Sequence, residues 1–319
     1  MINAQDLLIK KASKVPFSMY DAFTEVPYSG SQGAIVLHAS NISMPHRARI
    51  AREIGAPATA FVNAINHNRV KVQFFSTVME LPMCGHGTVC LITQLVAQEL
   101  LPCEADVWCE AVLDLPKGEA TVECRLTKAG RVEVMLDVAE ARFSAVTFDL
   151  DELAGILGVS VGDISNELPP EVATGDFIHL CLPMRDLAAM RGLQPDFSAL
   201  AQFCVANGLE TVAAFSTEVV DQTCNVHVRD FCPAVGVAES AAAGTTNAAI
   251  STYLLRQGLV QANDYGSLQV RAEQGIELGR PSRVTTRIKT KNGNIIRLQV
   301  GGVASLIIEG MINVHMDGL

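Results

Sequence analysis

Aromatic residues make up only 5% of this 319-residue chain, with a single tryptophan, so few rings are available for nucleic-acid bases to stack on. Basic residues are also scarce. Against 34 Asp and Glu stand 24 Lys and Arg, which leaves a net charge of −10 and no basic block to neutralise phosphates. Nucleic acid is thereby excluded as a main partner. No apolar run reaches the length that crosses a bilayer, and residues 1–6 lack the basic start and apolar core of a secretory signal. The chain has no phosphate-binding GxxxxGK[ST], no zinc-peptidase HExxH and no GxSxG elbow, so phosphoryl transfer, zinc hydrolysis and α/β-hydrolase chemistry have no motif. The nine cysteines are odd in number and include no CxxC pair. Such usage speaks against a disulfide framework or a zinc site and for a reducing, cytoplasmic compartment in which most thiols pack as small hydrophobes. No metal, no cofactor and no membrane association are expected.

What the chain does have is apolar substance. Hydrophobic residues make up 49% and charged residues 18%, a balance that builds a sizeable core in one large or two ordinary domains. Apolar periodicity predicts helices over 44–54, 89–99, 150–157, 197–207 and 248–257. Ser43 is a candidate cap for the first of these, which carries Pro45 in its first turn and is stopped by Gly55 and Pro57. Strands are predicted around 17–23, 33–37, 59–62, 70–75, 176–182, 211–215 and 224–231, with several more across 105–137 and through the tail to 307. Asn292-Gly293 marks a hairpin.

The most informative stretch is Leu81-Pro82-Met83-Cys84-Gly85-His86-Gly87-Thr88, set where a strand ends and a helix begins. Backbone N–H groups at a helix start lack helical acceptors and can hold a carboxylate or an anionic intermediate. The helix dipole is also expected to lower the pKa of Cys84, making it a better base, with His86 as a polar partner. Gly85, Gly87 and Thr88 complete the candidate set. The pattern repeats: Glu239 lies 159 positions after Glu80 (239 − 80), and the same offset carries Cys84 onto Ala243 and Gly85 onto Gly244. In the second copy, Ser240, Gly244, Thr245 and Thr246, with Asn247, form an anion-binding candidate at another helix start. Two such helix ends facing one cleft would suit a small anionic molecule. Asp230 and Glu239 are the nearest carboxylates; Asp21, His46 and His179 read as structural.

These segments together resemble the phenazine-biosynthesis isomerase (PhzF-like) family, nearly from end to end. The resemblance is carried by Tyr20-Asp21-Ala22-Phe23, by Thr59-Ala60-Phe61-Val62, by the Glu80 to Thr88 signature, by Gly236-Val237-Ala238-Glu239 with Ala243-Gly244, and by Gly279-Arg280-Pro281-Ser282. It implies an α/β (α+β) fold of two pseudo-symmetric diaminopimelate epimerase-like domains, each a mixed β-barrel-like sheet around a central helix. The domains are expected at 1–128 and 129–302, with a strand near 303–319 returning to the first. The resemblance further implies cofactor-independent proton transfer in the cleft between domains, and a homodimer. Three positions depart from the pattern. The family's catalytic glutamate falls at Ala58 and its aspartate at Ser240, and the second cysteine of two-thiol epimerases of this fold falls at Ala243; the family's histidine is kept as His86.

The expected activity is therefore a one-base isomerase or epimerase-type reaction on a small carboxylate, an amino or hydroxy acid, with Cys84 as base. The amides of Gly85, His86, Gly244 and Thr245 are expected to hold the carboxylate and the enolate. The alternatives are a binding protein of the same fold with reduced chemistry, and a one-base dehydratase. A redox-sensing thiol at Cys84 is a weaker third, because the sequence places no resolving cysteine beside it.

Overall fold

The structure is a computed structural model that describes residues 13–314, with Ser13 described by its backbone alone. The readings of residues 1–6 and of the last part of the 303–319 strand lie outside the described residues. The described chain divides into two units, one of residues 13–27, 32–134 and 303–314, the other of 28–31 and 135–302.

In the first unit the strands Ser13–Ala22 and Ala304–Val314 pair antiparallel, with a register shift between Met19 and Tyr20. The strand Ser31–Val36 runs parallel to Ala58–Asn66, which turns back antiparallel as Arg69–Phe75. A hairpin, Cys109–Leu115 with Gly118–Leu126, extends this sheet in parallel from Arg69–Phe75. The helix Gly85–Ala97 carries Val89, Leu91, Ile92 and Leu95, all fully buried. A helix apolar on every side belongs inside the sheet rather than on its surface. The helix Met44–Ile54 is amphipathic and lays Ala51 against Val36, Phe61 and Phe75. Ser43 sits at its N-cap without capping it through the side chain; its hydroxyl meets His46 Nδ1 at 2.9 Å instead. Gly55 ends the helix in the left-handed conformation at φ 75°.

The second unit repeats the plan. Ile178–Pro183 runs parallel to Thr211–Ser216, which pairs antiparallel with Val226–Cys232. That strand is flanked by Ser267–Gln274, continued through the hairpin of Ser282–Lys291 and Asn294–Gly302. Asn292 at φ 52° and Gly293 at φ 80° both take the positive φ that a tight primed turn requires. The buried helix is Gly244–Arg256, in contact with Phe215, Val228 and Val270 through Ile250 and Tyr253. It begins four residues earlier than the apolar period suggested, because Gly244 to Asn247 are helical without being apolar. A second layer, the helices Leu150–Ile156 and Phe197–Ala206, closes another core through Leu153, Leu200 and Phe203.

The two units correspond pair by pair. Gly33 faces Ala58, Ala60 faces Phe74 and Phe75 faces Glu80 in the first. His179 faces Thr211, Ala213 faces Asp230 and Phe231 faces Glu239 in the second. Both central helices are 13 residues long.

Candidate active site

Cys84 is the N-cap of the helix Gly85–Ala97, with extended φ −146° and ψ 114°. The chain swings into the helix there, so the first-turn amides are left without helical acceptors. Burial, with only 7% of Cys84 exposed, pushes its thiol up to about 12, against the pull of the Gly87 and His86 amides, which favour the thiolate. The expected lowering by the helix end is thus reversed. Two amides at a helix end do not replace the water that a charged sulfur loses on burial. Burial likewise lowers His86 to about 4, so its ring is neutral at ordinary pH.

Cys84 Sγ lies 3.5 Å from both Nδ1 and Nε2 of His86. Equal distances put the sulfur in line with neither nitrogen, so the two groups touch without a strongly directed hydrogen bond. Gly87 is forced by packing: an added Cβ would lie 3.2 Å from the Ala58 methyl and 3.1 Å from Phe74 Cε1. Ala58 therefore abuts the turn that carries Cys84 and His86. Gly85 is different, since a Cβ there would meet nothing within 4 Å. Thr88 is fully buried and donates its N–H to Cys84 O at 2.9 Å; its hydroxyl has no partner among the described residues. It supports the turn from inside and offers nothing outward.

In the second unit Ala243 holds the N-cap with nearly the same backbone, φ −132° and ψ 118°. Ser240, Gly244 and Thr245 keep partial exposure, whereas Thr246 is buried and donates its hydroxyl to Asp230 Oδ2 at 3.0 Å. Burial raises the Asp230 carboxyl to about 6. Glu239 is engaged by Arg229 through two hydrogen bonds of 2.9 and 2.8 Å, and Arg229 in turn donates to Met190 O and Leu193 O. That carboxylate is a structural anchor.

Gln274, which the sequence offered only as part of the family-like C-terminal segment Gln274-Gly275 and without a role in the site, organises this turn. Its Oε1 accepts from the Ala243 amide at 3.3 Å and from Asn247 Nδ2 at 2.7 Å, while its Nε2 donates to Ser240 O at 2.8 Å. The signal was Gln274-Gly275: Gly275 has φ 74°, and a Cβ there would come within 2.6 Å of Ala241 O. Asp21 is buried near the end of the strand Ser13–Ala22, and His46 lies half-buried at its helix start. Among the described residues no group of three or more His, Cys, Asp or Glu is placed to hold a metal ion, and all nine cysteines are free thiols. No described helix is long and apolar enough to cross a membrane.

Comparison with known proteins adds to this geometry. The family model described as "Phenazine biosynthesis-like protein" matches residues 20–310. A protein of Deinococcus radiodurans named an uncharacterized isomerase is 28% identical over 296 residues, covering 91% of this chain and 92% of that one. The trans-2,3-dihydro-3-hydroxyanthranilate isomerase of Pseudomonas chlororaphis is 26% identical over 296 residues, covering 90% and 95%. A crystal structure of a PhzF-family phenazine biosynthesis protein from Bacillus anthracis superposes with a TM-score of 0.83 at 21% identity, covering 94% of this chain and 99% of that one, and so shares the fold.

Proposed function

The chain belongs to the phenazine biosynthesis-like (PhzC-PhzF) family, whose relatives are named isomerases, and it is an enzyme of that type; from that premise we propose a cofactor-independent isomerase that transfers a proton at a carbon of a small carboxylate. The observation that carries the proposal is the Cys84 sulfur at a helix N-cap, with the His86 and Gly87 amides turned towards it and the His86 ring 3.5 Å away. Cys84 is the group that takes or gives the proton. Gly85 and His86 of the first helix start and Gly244 and Thr245 of the second supply N–H groups for the carboxylate and the developing enolate. That one substrate is shared by both helix starts is part of the proposal and rests on the sequence repeat and the family resemblance. Removing one such donor costs about 2.7–4 kcal/mol of transition-state stabilisation in a well-studied hydrolase.

The raised thiol sets a condition on the substrate. A bound molecule that brings a positive charge beside a buried neutral thiol helps it to act as a base. The ammonium of an amino acid supplies such a charge, which favours an amino acid over a hydroxy acid. A second reading, a binding protein of the fold with reduced chemistry, is favoured by Ala58 and Ala243, which offer no ionisable group where the family resemblance expects one. Incubating amino and hydroxy acids with the protein in heavy water separates the two: deuterium at carbon supports the isomerase, and saturable binding without exchange supports the binder. Cytoplasmic placement and a homodimer belong to the same proposal.

A further inference from the structure

Seven of the nine cysteines are buried, and Cys103 and Cys109 keep part of their surface. Cys109 opens the hairpin of Cys109–Leu115 and Gly118–Leu126, where it stands directly across the antiparallel ladder from Cys124. The strands stay together on either side of this pair. Glu110 faces Glu123 on one side, and on the other the Arg125 guanidinium lies over the Trp108 ring, 4.8 Å from its centre. The Asp106 amide then donates to Leu126 O at 2.8 Å. Side chains at opposed positions of such a ladder lie on one face, with Cα atoms about 4.5–5.5 Å apart. A disulfide spans about 4.4–6.8 Å between Cα atoms, so these two residues can be joined without the strands parting.

Two contacts place the Cys109 sulfur. It accepts the Glu104 amide at 3.4 Å and donates to Val107 O at 3.7 Å. Residues 104–107 are exposed, so a small oxidant reaches Cys109 from solvent, whereas Cys124 is only 1% exposed. Cys103 is the neighbour of Glu104 in sequence, but it belongs to no strand and no ladder fixes it opposite Cys109.

We propose that Cys109 and Cys124 form a reversible redox-modification site, which a low-molecular-weight disulfide oxidises to a cross-strand disulfide and small thiols restore. The inference stands apart from the role of Cys84. In the first step the Cys109 sulfur attacks one sulfur of the small disulfide. That S–S bond breaks as a mixed one forms, and the leaving thiolate takes up the proton that Cys109 gave up. In the second step Cys124 attacks the Cys109 sulfur of the mixed disulfide, and a second small thiol leaves with the Cys124 proton. The pair loses two electrons and two protons, and the small disulfide gains both. Burial pushes the Cys124 thiol up to about 12, so it is neutral in the resting protein. It is therefore a poor nucleophile towards solvent species and acts on a sulfur held directly opposite, where proximity offsets the small thiolate fraction. Exposure and charge thus assign the order, with Cys109 first and Cys124 second.

Peptide mapping of the whole protein tests the pairing. The protein is equilibrated with oxidised glutathione at about pH 8.5, its remaining thiols are capped in denaturant, and the chain is cleaved after glutamate. Peptides 105–110 and 124–133 then carry Cys109 and Cys124 separately, and 100–104 carries Cys103. Peptide 105–110 should be found joined to 124–133, about tenfold or more over any link to 100–104. Excess dithiothreitol should release the link, and emission from Trp108, the one tryptophan of the chain, should change in step with it. Cys124→Ser should stop at a glutathione mixed disulfide on Cys109, and Cys103→Ser should leave the joined pair unchanged. A link from 100–104 to either peptide in place of that pair, a mixed disulfide at Cys109 that persists in the wild type, or free thiols at both positions overturns the proposal.

Discussion

A methyl group added at Gly87 would sit 3.1 Å from Phe74 Cε1 and 3.2 Å from the Ala58 Cβ, and both neighbours are fully buried. Replacing a helical glycine by alanine ordinarily gains about 1 kcal/mol. Here neither neighbour can retreat, so overpacking of about 1–3 kcal/mol wins. Gly87→Ala is expected to lower the urea midpoint with an unchanged slope. Cys84 makes a second prediction at this scale. Its thiol is pushed up to about 12 by burial, so iodoacetamide at pH 8 should leave it largely unmodified while the part-exposed Cys109 reacts, as read by mass spectrometry of peptides. The sequence showed that Cys84 stands at a helix start. It could not show the burial that decides the thiol's charge, because the covering residues come from distant strands.

At the scale of elements, the second unit holds one buried ionic device that no motif announces. His227 on the strand Val226–Cys232 bonds Glu273 Oε1 at 2.8 Å and Glu277 Oε1 at 3.0 Å, partners 46 and 50 residues away. Burial alone would lower the imidazole, but the two carboxylates outweigh it and raise it to about 9. Because the folded value exceeds the unfolded one, this contribution is fully present below about pH 6.5 and is lost as pH rises through about 9. Both carboxylates are lowered by the same contacts despite burial, so their contribution is lost in acid. The difference in urea stability between wild type and His227→Gln should thus be level between about pH 5 and 6.5 and shrink by a few kcal/mol towards pH 9. Long periodic helices and the Asn292-Gly293 turn were legible in the sequence. The helix Leu187–Gly192 and the strands Arg142–Ala145 and Glu171–Thr174 were not, since six residues or fewer carry no period to read.

Across the whole molecule the 159-residue offset is the feature that the sequence conveyed best. It reappears as two buried helices with matched N-caps, Cys84 and Ala243, while the strand pairs match at other offsets. What the offset could not convey is how differently the two copies are filled. The first brings Ala58, Phe74 and Gly87 together with no ionisable side chain among them, leaving Cys84 and His86 as its chemistry. The second brings together an aspartate, two threonines and a histidine, yet its N-cap, Ala243, has no reactive atom. Such division of labour suits a reaction with one proton-transferring thiol better than a symmetric exchange between two. The most direct test is deuterium wash-in. Small amino and hydroxy carboxylates are incubated in heavy water with the wild-type protein and with Cys84→Ser, and deuterium at carbon is followed by proton NMR. The account predicts exchange on an amino carboxylate with wild type and a loss of about a hundredfold or more in Cys84→Ser. Exchange that survives Cys84→Ser undiminished, or no exchange on any member of the set, contradicts it.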